Sequence, residues 1–363
     1  MGEVNLLDGR AINSQWVRDA DVLLVRSVTR VNAELLAGSN VRFVASATSG
    51  TDHIDSDYLN QAGIKFSFAP GCNAQAVVEY VLSSLFVLAT QYQFALRDKV
   101  VGIIGCGQVG SRLAQALSVM QVQCLMHDPP LKEVMDDGIY CELPDVLQAD
   151  IITLHVPLTD SGRHPTRHLV NDRFLAQMQP GAVLINTSRG AVVDENALQQ
   201  SLQCRQFSVV LDVWDREPAI DRALLASAAI GTPHIAGYTI DARLGATAMV
   251  YRRLCEHLHQ SGFWRPEVEL GQLPDREIRI SAGMNVWDGL EMAILSHYDV
   301  RSDAAALRRM LNMNAQAASG YFDELRKNHP VRREFSATTV RLPDTENQLA
   351  DTLGQLGFRV ASP

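Results

Sequence analysis

The sequence predicts an α/β protein built on parallel sheets, and three observations carry that expectation. Short β-rich runs alternate with helical patterns through the first two-thirds of the 363 residues, the mark of strand–helix–strand units. A Gly-x-Gly-x-x-Gly turn, Gly105 to Gly110, directly follows one apolar run and opens a helical one. From about Arg265 the texture changes at Pro266, Gly271 and Pro274, which reads as a linker to a further part.

In chain order, Val22–Arg26, Val41–Ser46 and Ile64–Phe68 are predicted strands of a first unit. Val77-Val78, Val81-Leu82, Leu85-Phe86 and Leu88-Ala89 then recur at helical spacing, so a buried connecting helix is expected. The apolar stretch Ala76–Ala89 contains Glu79 and reads as too short to span a bilayer. Strands of a second unit are predicted at Val100–Ile104, Val122–Met126, Ile151–His155, Ala182–Asn186 and Ser208–Leu211. A helix over Ala242–Gln260 is placed to return the chain to the first unit, which would make the second an insertion. The tail reads as a helix at Val286–His297, further helices to about Lys327, a strand near Thr338–Leu342 and a last helix near Glu346–Leu356. Three parts are therefore expected: 1–92 with 239–262, 93–238, and 265–363. The tail is expected to hold a small core of its own.

Composition bounds the function. Hydrophobic residues make up 47% of the chain, enough for real cores. A formal net charge of -9 argues against a broad nucleic-acid surface, yet leaves room for a few arginines around an anionic substrate. The six cysteines, Cys72, Cys106, Cys124, Cys141, Cys204 and Cys255, form no Cys-x-x-Cys pair and read as small buried hydrophobes of a reducing cytosol. No basic stretch followed by an apolar core stands at the N-terminus, so no signal peptide and a cytoplasmic protein are expected. His164 and His168 are four apart with Pro165 between them and no carboxylate cluster, so no metal site is expected. Met310 and Met313 read as core filler, and the pairs Arg308-Arg309 and Arg332-Arg333 as solvated faces.

The Gly105–Gly110 turn has the context that dinucleotide binding requires. Gly105 permits the tight turn, Gly107 lets the backbone approach a pyrophosphate, and Gly110 lets the helix pack on the strand. Asp128 ends the next strand, where a carboxylate accepts from ribose hydroxyls and repels the extra phosphate of NADP. NAD is the expected cofactor.

Three later segments each begin near the carboxyl end of a predicted strand, the edge where open α/β sheets bind ligands. They are Asn186–Gly190, Asp212–Pro218 and Thr232–Tyr238. Hydride transfer from a 2-hydroxy acid needs a base, a carboxylate to orient it, and a cation for the substrate carboxylate. His234, Glu217 and Arg189 have that chemistry. Alone, each would be read as a loop, helix-end or surface residue. Their order behind a dinucleotide turn favours the catalytic reading.

Asn186–Leu198, Leu211–Pro218 and Thr232–Thr239, together with the glycine turn, resemble the signatures of the D-2-hydroxyacid dehydrogenase family. Val25–Asn32, Ser46–Asp55, Pro70–Val81 and His297–Arg309 resemble a narrower group within it whose substrate is a phosphorylated 2-hydroxy acid. The resemblance implies a Rossmann dinucleotide-binding domain inserted in a flavodoxin-like substrate domain, plus a C-terminal α/β dimerisation domain. It implies an NAD-dependent homodimer acting on a small molecule, with no nucleic acid and no membrane as partner. Arg189, Glu217 and His234 then fall at catalytic positions. Gly107, Gln108, Val109, Asp128, Val156, Thr187, Ser188, Arg189, Asp212 and Gly237 fall at cofactor positions, with Asp212 on the nicotinamide amide. Ser27, Thr48 and Tyr238 fall at substrate positions. Relatives often carry Thr where Val156 stands, which preserves only a backbone contact there. They also usually have a strand and a helix ahead of the segment aligned with Gly2-Glu3-Val4; the first strand of a flavodoxin-like domain is central, so the fold of residues 1–70 is expected to depart from theirs. Two alternatives stay open: another enzyme of the family, of phosphoglycerate or glycerate type, and an NAD-sensing binding protein.

Overall fold

Most apolar runs that the sequence marks as strands form strands, and all of them pair in parallel. The computed structural model describes residues 2–135, 138–204, 207–343 and 347–362. The chain divides into two compact units, Met1–Asn73 with Ile240–Leu273, and Ala74–Thr239 with Pro274–Pro363.

In the first unit, β1 (Val22–Val25), β2 (Phe43–Ser46) and β3 (Lys65–Phe68) form a sheet in the order β1-β2-β3. The central strand buries all four of its residues, as a strand covered on both faces must. The helix Ile240–His257 returns to this unit and lays Ala246 and Val250 on Phe43, Ala45 and Ala69. Small residues on that helix let it sit close to the sheet.

The second unit holds a six-stranded sheet in the order β5-β4-β6-β7-β8-β9. Its strands are β4 (Val100–Ile104), β5 (Gln123–His127), β6 (Ile151–Leu154), β7 (Val183–Asn186), β8 (Ser208–Leu211) and β9 (Ile230–Gly231). Beyond β5, among the described residues, a single bridge, Met126 to Tyr140, stands where a doubly wound fold usually has one more strand. The strand order reverses between β4 and β6. That switch point is where such sheets bind dinucleotides.

The helix Ala74–Tyr92 is longer than the sequence suggested. Its 19 residues are long and apolar enough to cross a membrane by composition, but 78% of its apolar window is buried inside the protein. Its polar residues explain what covers it. Glu79, Ser83 and Ser84 are fully buried, and the first two receive the tail. The Ser83 hydroxyl donates to Tyr298 O at 2.9 Å and accepts from the Val300 N–H at 3.1 Å. Glu79 Oε1 accepts the Phe335 N–H at 2.7 Å.

The tail forms a third parallel sheet, β10 (Arg276–Arg279), β11 (Thr338–Arg341) and β12 (Arg359–Ala361). Its helices are Val286–His297, Val300–Arg308, Ala315–Lys327 and Gln348–Leu356. The last one starts after the expected Glu346, which lies outside the described residues. The tail does not keep a core to itself. Leu290, Ile294 and Leu353 share one apolar cluster with Val81, Leu85, Leu113 and Leu117. Leu307, Met310 and Phe322 share another with Trp214, Leu224 and Leu225. A fully buried side chain of this kind contributes about 1.5–3 kcal/mol, so the tail and the six-stranded sheet stabilise each other.

Two sequence expectations fail on burial. Arg332 is 7% exposed, not on a solvated face: it donates to Ala236 O at 3.2 Å and Ala76 O at 2.7 Å. Its guanidinium also lies 3.8 Å from the Tyr298 ring centroid. Of the six cysteines only Cys106 is buried, and Cys204 is exposed.

Candidate active site

The turn after β4 is fixed by steric limits that only glycine meets. Gly105 has φ of +89°, and a Cβ there would meet the His155 carbonyl at 2.7 Å. A Cβ on Gly110 would stand 2.0 Å from Gly105 O, so the helix Gly110–Val119 could not pack as it does. At Gly107 a Cβ would meet nothing within 4 Å. Open space in front of a backbone at a helix N-terminus suits a pyrophosphate. Gln108 and Val109 complete the turn. The Gln108 side chain accepts from Arg112 Nη1 at 2.9 Å, and Val109 supplies no side-chain cap.

Asp128 follows β5 and braces the turn. Its Oδ2 accepts the Cys106 N–H at 2.8 Å, and its Oδ1 accepts the Leu131 N–H at 3.1 Å. Burial, reinforced by the Asp128 charge, pushes the Cys106 thiol up to about 12, so it stays neutral. Across the switch point, the His155 N–H donates to Ile104 O at 2.8 Å. The Val156 side chain closes against Gly105.

The Asn186–Gly190 loop is built by one side chain. Asn186 Oδ1 accepts from the Ser188 N–H and hydroxyl at 3.0 and 2.8 Å, and its Nδ2 donates to Arg189 O at 2.9 Å. Thr187 Oγ1 lies 3.3 Å from His155 Nδ1. Arg189 is half-buried and donates from Nη1 to Ser188 O at 2.8 Å. Gly190 must be glycine, because a Cβ would fall 2.0 Å from the Trp214 carbonyl carbon.

Behind β8, Asp212 organises the third segment. It is 1% exposed, and its Oδ1 accepts the Thr232 hydroxyl at 2.7 Å and the Ile235 N–H at 2.8 Å. Its Oδ2 accepts one bond from the described residues, the Ala236 N–H at 2.9 Å, which leaves a lone pair. Burial raises the Asp212 carboxyl above its usual range, against the pull of His234 and these donors. The His234 N–H donates to Asp212 O at 2.7 Å, and His234 takes φ of +57°. This uncommon backbone for a non-glycine residue is held by the loop's bonds to Asp212.

The ring is aimed by Glu217. His234 Nδ1 lies 2.7 Å from Glu217 Oε2, while Glu217 Oε1 accepts the Trp214 N–H at 3.0 Å. Burial works to raise the Glu217 carboxyl, but the His234 charge and hydrogen bond outweigh it and hold it below the usual range. With a carboxylate on Nδ1, Nε2 is the ring nitrogen that could exchange a proton with a ligand.

Of the expected substrate residues, Tyr238 follows this loop in the second unit, and Ser27 and Thr48 lie in the first. Ser27 is exposed just past β1, and Thr48 follows β2 with its hydroxyl donating to Gly50 O at 2.7 Å. Both stand at the carboxyl edge of their sheet. Gly237 is half-buried between Ala236 and Tyr238.

Two site-lining residues were not singled out for a role here from the sequence. His155 holds its ring between the Thr153 and Thr187 hydroxyls, and burial pushes its imidazole down to about 3, so it is neutral. Its place one residue beyond β6 was the available signal. Arg326, from the tail helix Ala315–Lys327, lies with its guanidinium 5.7 Å from the Tyr238 ring centroid. No local motif marks it.

Residues 86–236 match the family model described as D-isomer specific 2-hydroxyacid dehydrogenase, NAD binding domain. Residues 270–357 match one described as a domain of unknown function. The erythronate-4-phosphate dehydrogenase of Hahella chejuensis is 46% identical over 368 residues, covering 100% of this chain and 95% of that protein. That of Azotobacter vinelandii is 46% identical over 363 residues, covering 98% and 94%. Among solved structures, D-lactate dehydrogenase from Aquifex aeolicus, complexed with NAD and lactic acid, has a TM-score of 0.59 at 25% identity, covering 69% of this chain and 86% of that one. NAD-dependent formate dehydrogenase from Staphylococcus aureus, at TM-score 0.60 and 23% identity over 72% and 86%, shares the fold.

Proposed function

We propose, from the premise that this chain belongs to the erythronate-4-phosphate dehydrogenase family of D-isomer specific 2-hydroxyacid dehydrogenases, that it oxidises the C2 hydroxyl of 4-phospho-D-erythronate. The product is (R)-3-hydroxy-2-oxo-4-phosphooxybutanoate, a step of pyridoxine and pyridoxal 5'-phosphate biosynthesis. NAD is the cofactor, and when bound it accepts the hydride from C2. The open space at Gly107 and the carboxylate of Asp128 fit its pyrophosphate and adenosine ribose.

The observation that carries this reading is the 2.7 Å pairing of His234 with Glu217. His234 Nε2 takes the proton of the C2 hydroxyl. Glu217 keeps the ring oriented and stabilises its charged form. Arg189 holds the substrate carboxylate through two parallel hydrogen bonds and polarises the developing C2 carbonyl. Ser27, Thr48 and Tyr238 hold the rest of the substrate. Gln108, Val109, Val156, Thr187, Ser188 and Gly237 line the cofactor, and the spare Asp212 lone pair accepts from the nicotinamide amide.

The same reading makes the enzyme a cytoplasmic homodimer paired through residues 265–363. That tail adds no second phosphate-binding turn, and symmetric pairing is the commonest arrangement of soluble oligomers. Sedimentation of the full chain as a monomer at micromolar concentration would rule out this pairing.

The test of function is NADH production from a panel of 2-hydroxy acids with and without a terminal phosphate. Preference for 4-phospho-D-erythronate is expected. Preference for D-glycerate or 3-phosphoglycerate moves the chain to another activity of the family. NAD binding without turnover of any member makes it a binding protein.

A further inference from the structure

We propose that Arg326 binds the phosphate ester of the substrate and sets the preference for a phosphorylated 2-hydroxy acid. This inference rests on the substrate reading above and assigns the group that recognises the phosphate.

Arg326 occupies the last turn of the helix Ala315–Lys327, which sets its backbone 88 residues beyond the Tyr238 it covers. Its guanidinium lies over the Tyr238 ring at 5.7 Å, a cation–π contact that does not use its N–H donors. Among the described residues no carboxylate lies within ion-pair distance of it. Its Nε is buried and has no hydrogen-bond partner. A buried cationic donor left unpaired is unfavourable, and an anion at that point relieves it. The neighbouring His329 stands edge-on to the same ring at 6.0 Å but already has Asp303 at 3.4 Å. Arg326 is therefore the guanidinium beside Tyr238 with donors to spare.

Its charge is felt at the catalytic pair, since it helps to hold the Glu217 carboxyl low. That places it within electrostatic reach of a substrate seated on His234. The division of charges also fits the substrate. Arg189, in the loop after β7, serves a carboxylate that every 2-hydroxy acid carries. Arg326 lies in the 270–357 segment, outside the 86–236 match to the NAD-binding domain of the wider family. An added cation in an added segment corresponds to the added phosphate. An arginine fork meets a phosphate dianion through two parallel, charge-assisted hydrogen bonds.

The test compares kcat/KM for 4-phospho-D-erythronate and for D-erythronate in wild type, Arg326→Ala and Arg326→Lys. The ratio of the two values is the readout, because a general electrostatic effect on the Glu217–His234 pair changes both substrates alike. Arg326→Ala is expected to lower the ratio by roughly 10- to 100-fold, through KM, the range for a lost hydrogen bond to a charged group. Arg326→Lys, which keeps charge without the fork, is expected to restore part of it. Inorganic phosphate is expected to compete with the phosphorylated substrate in wild type and to compete less well in Arg326→Ala. An unchanged ratio in a folded, NAD-binding Arg326→Ala overturns the assignment. If Arg326→Ala does not fold, an unchanged ratio in Arg326→Lys overturns it. Wild type that turns over D-erythronate as well as its phosphate overturns the substrate reading and this inference together. Wild-type preference for the phosphate with no response to Arg326 overturns this inference alone.

Discussion

His234 Nδ1 lies 2.7 Å from Glu217 Oε2 although the two residues are 17 positions apart. Each is fixed independently: Glu217 by the Trp214 N–H, and His234 by the backbone of Asp212. The ring therefore arrives oriented before any substrate does.

Replacing His234 with Ala is expected to lower turnover by about 10²–10⁴-fold, the range for a lost general base. NAD affinity should stay within a few-fold. Turnover near the wild-type value would assign the proton to another group.

Glu217→Gln is expected to reduce turnover while leaving NAD binding in place, and to change acid stability. The folded Glu217 carboxyl is held below its ordinary value of 4.5. Its contribution is thus present above that value and lost as pH falls through the lower folded one. Melting curves below about pH 5 should fall more steeply for wild type than for the variant. Parallel curves would show that the pair contributes no stability.

The glycine turn separates binding from folding. Gly107→Ala faces open space, so its melting temperature should hold while NAD binding weakens. Gly110→Ala places a Cβ 2.0 Å from Gly105 O and should lower both. Equal losses of stability in the two variants would contradict this division.

Asp128→Ala is expected to weaken NAD binding and narrow the gap between NAD and NADP, since it removes ribose acceptors and the repulsion of a 2′-phosphate. It also frees the Cys106 N–H, so a moderate loss of stability should accompany it. An unchanged cofactor ratio would turn Asp128 away from the ribose.

Glu79 links the tail to pH. Burial pushes its carboxyl up to about 8, with Arg332 pulling the other way and Glu334 adding to the rise. His297 stands 3.7 Å away, and its own imidazole is pushed down to about 4, chiefly by burial. A folded pKa above the ordinary 4.5 gives stability that is full below 4.5 and lost as pH rises through about 8. Glu79→Gln should remove that decline. Equal pH slopes for the two proteins would contradict it.

The legible parts of the sequence were those with strong periodicity or strict sterics. β4, β8 and the helix Val286–His297 fall where the apolar pattern put them. The strands β10 and β12 were missed because Arg276–Arg279 buries only Ile278 and Arg359–Ala361 buries none of its residues fully. The two-residue β9 is too short to leave a pattern. Glu79 and Ser83 were visible as polar breaks in an apolar helix, yet the tail groups they bond lie more than 200 residues away. Arg326 was unreadable for the same reason: only the fold of the tail brings it to Tyr238.

The most direct measurement follows the hydride itself. 4-Phospho-D-erythronate carrying deuterium at C2 is incubated with the enzyme and NAD, and the reduced cofactor is examined by mass spectrometry. One deuterium in the reduced cofactor, with the 2-oxo acid formed in equal amount, is the predicted result. Reduced cofactor without deuterium, or no reduction at all by the folded, NAD-binding chain, would contradict oxidation at C2.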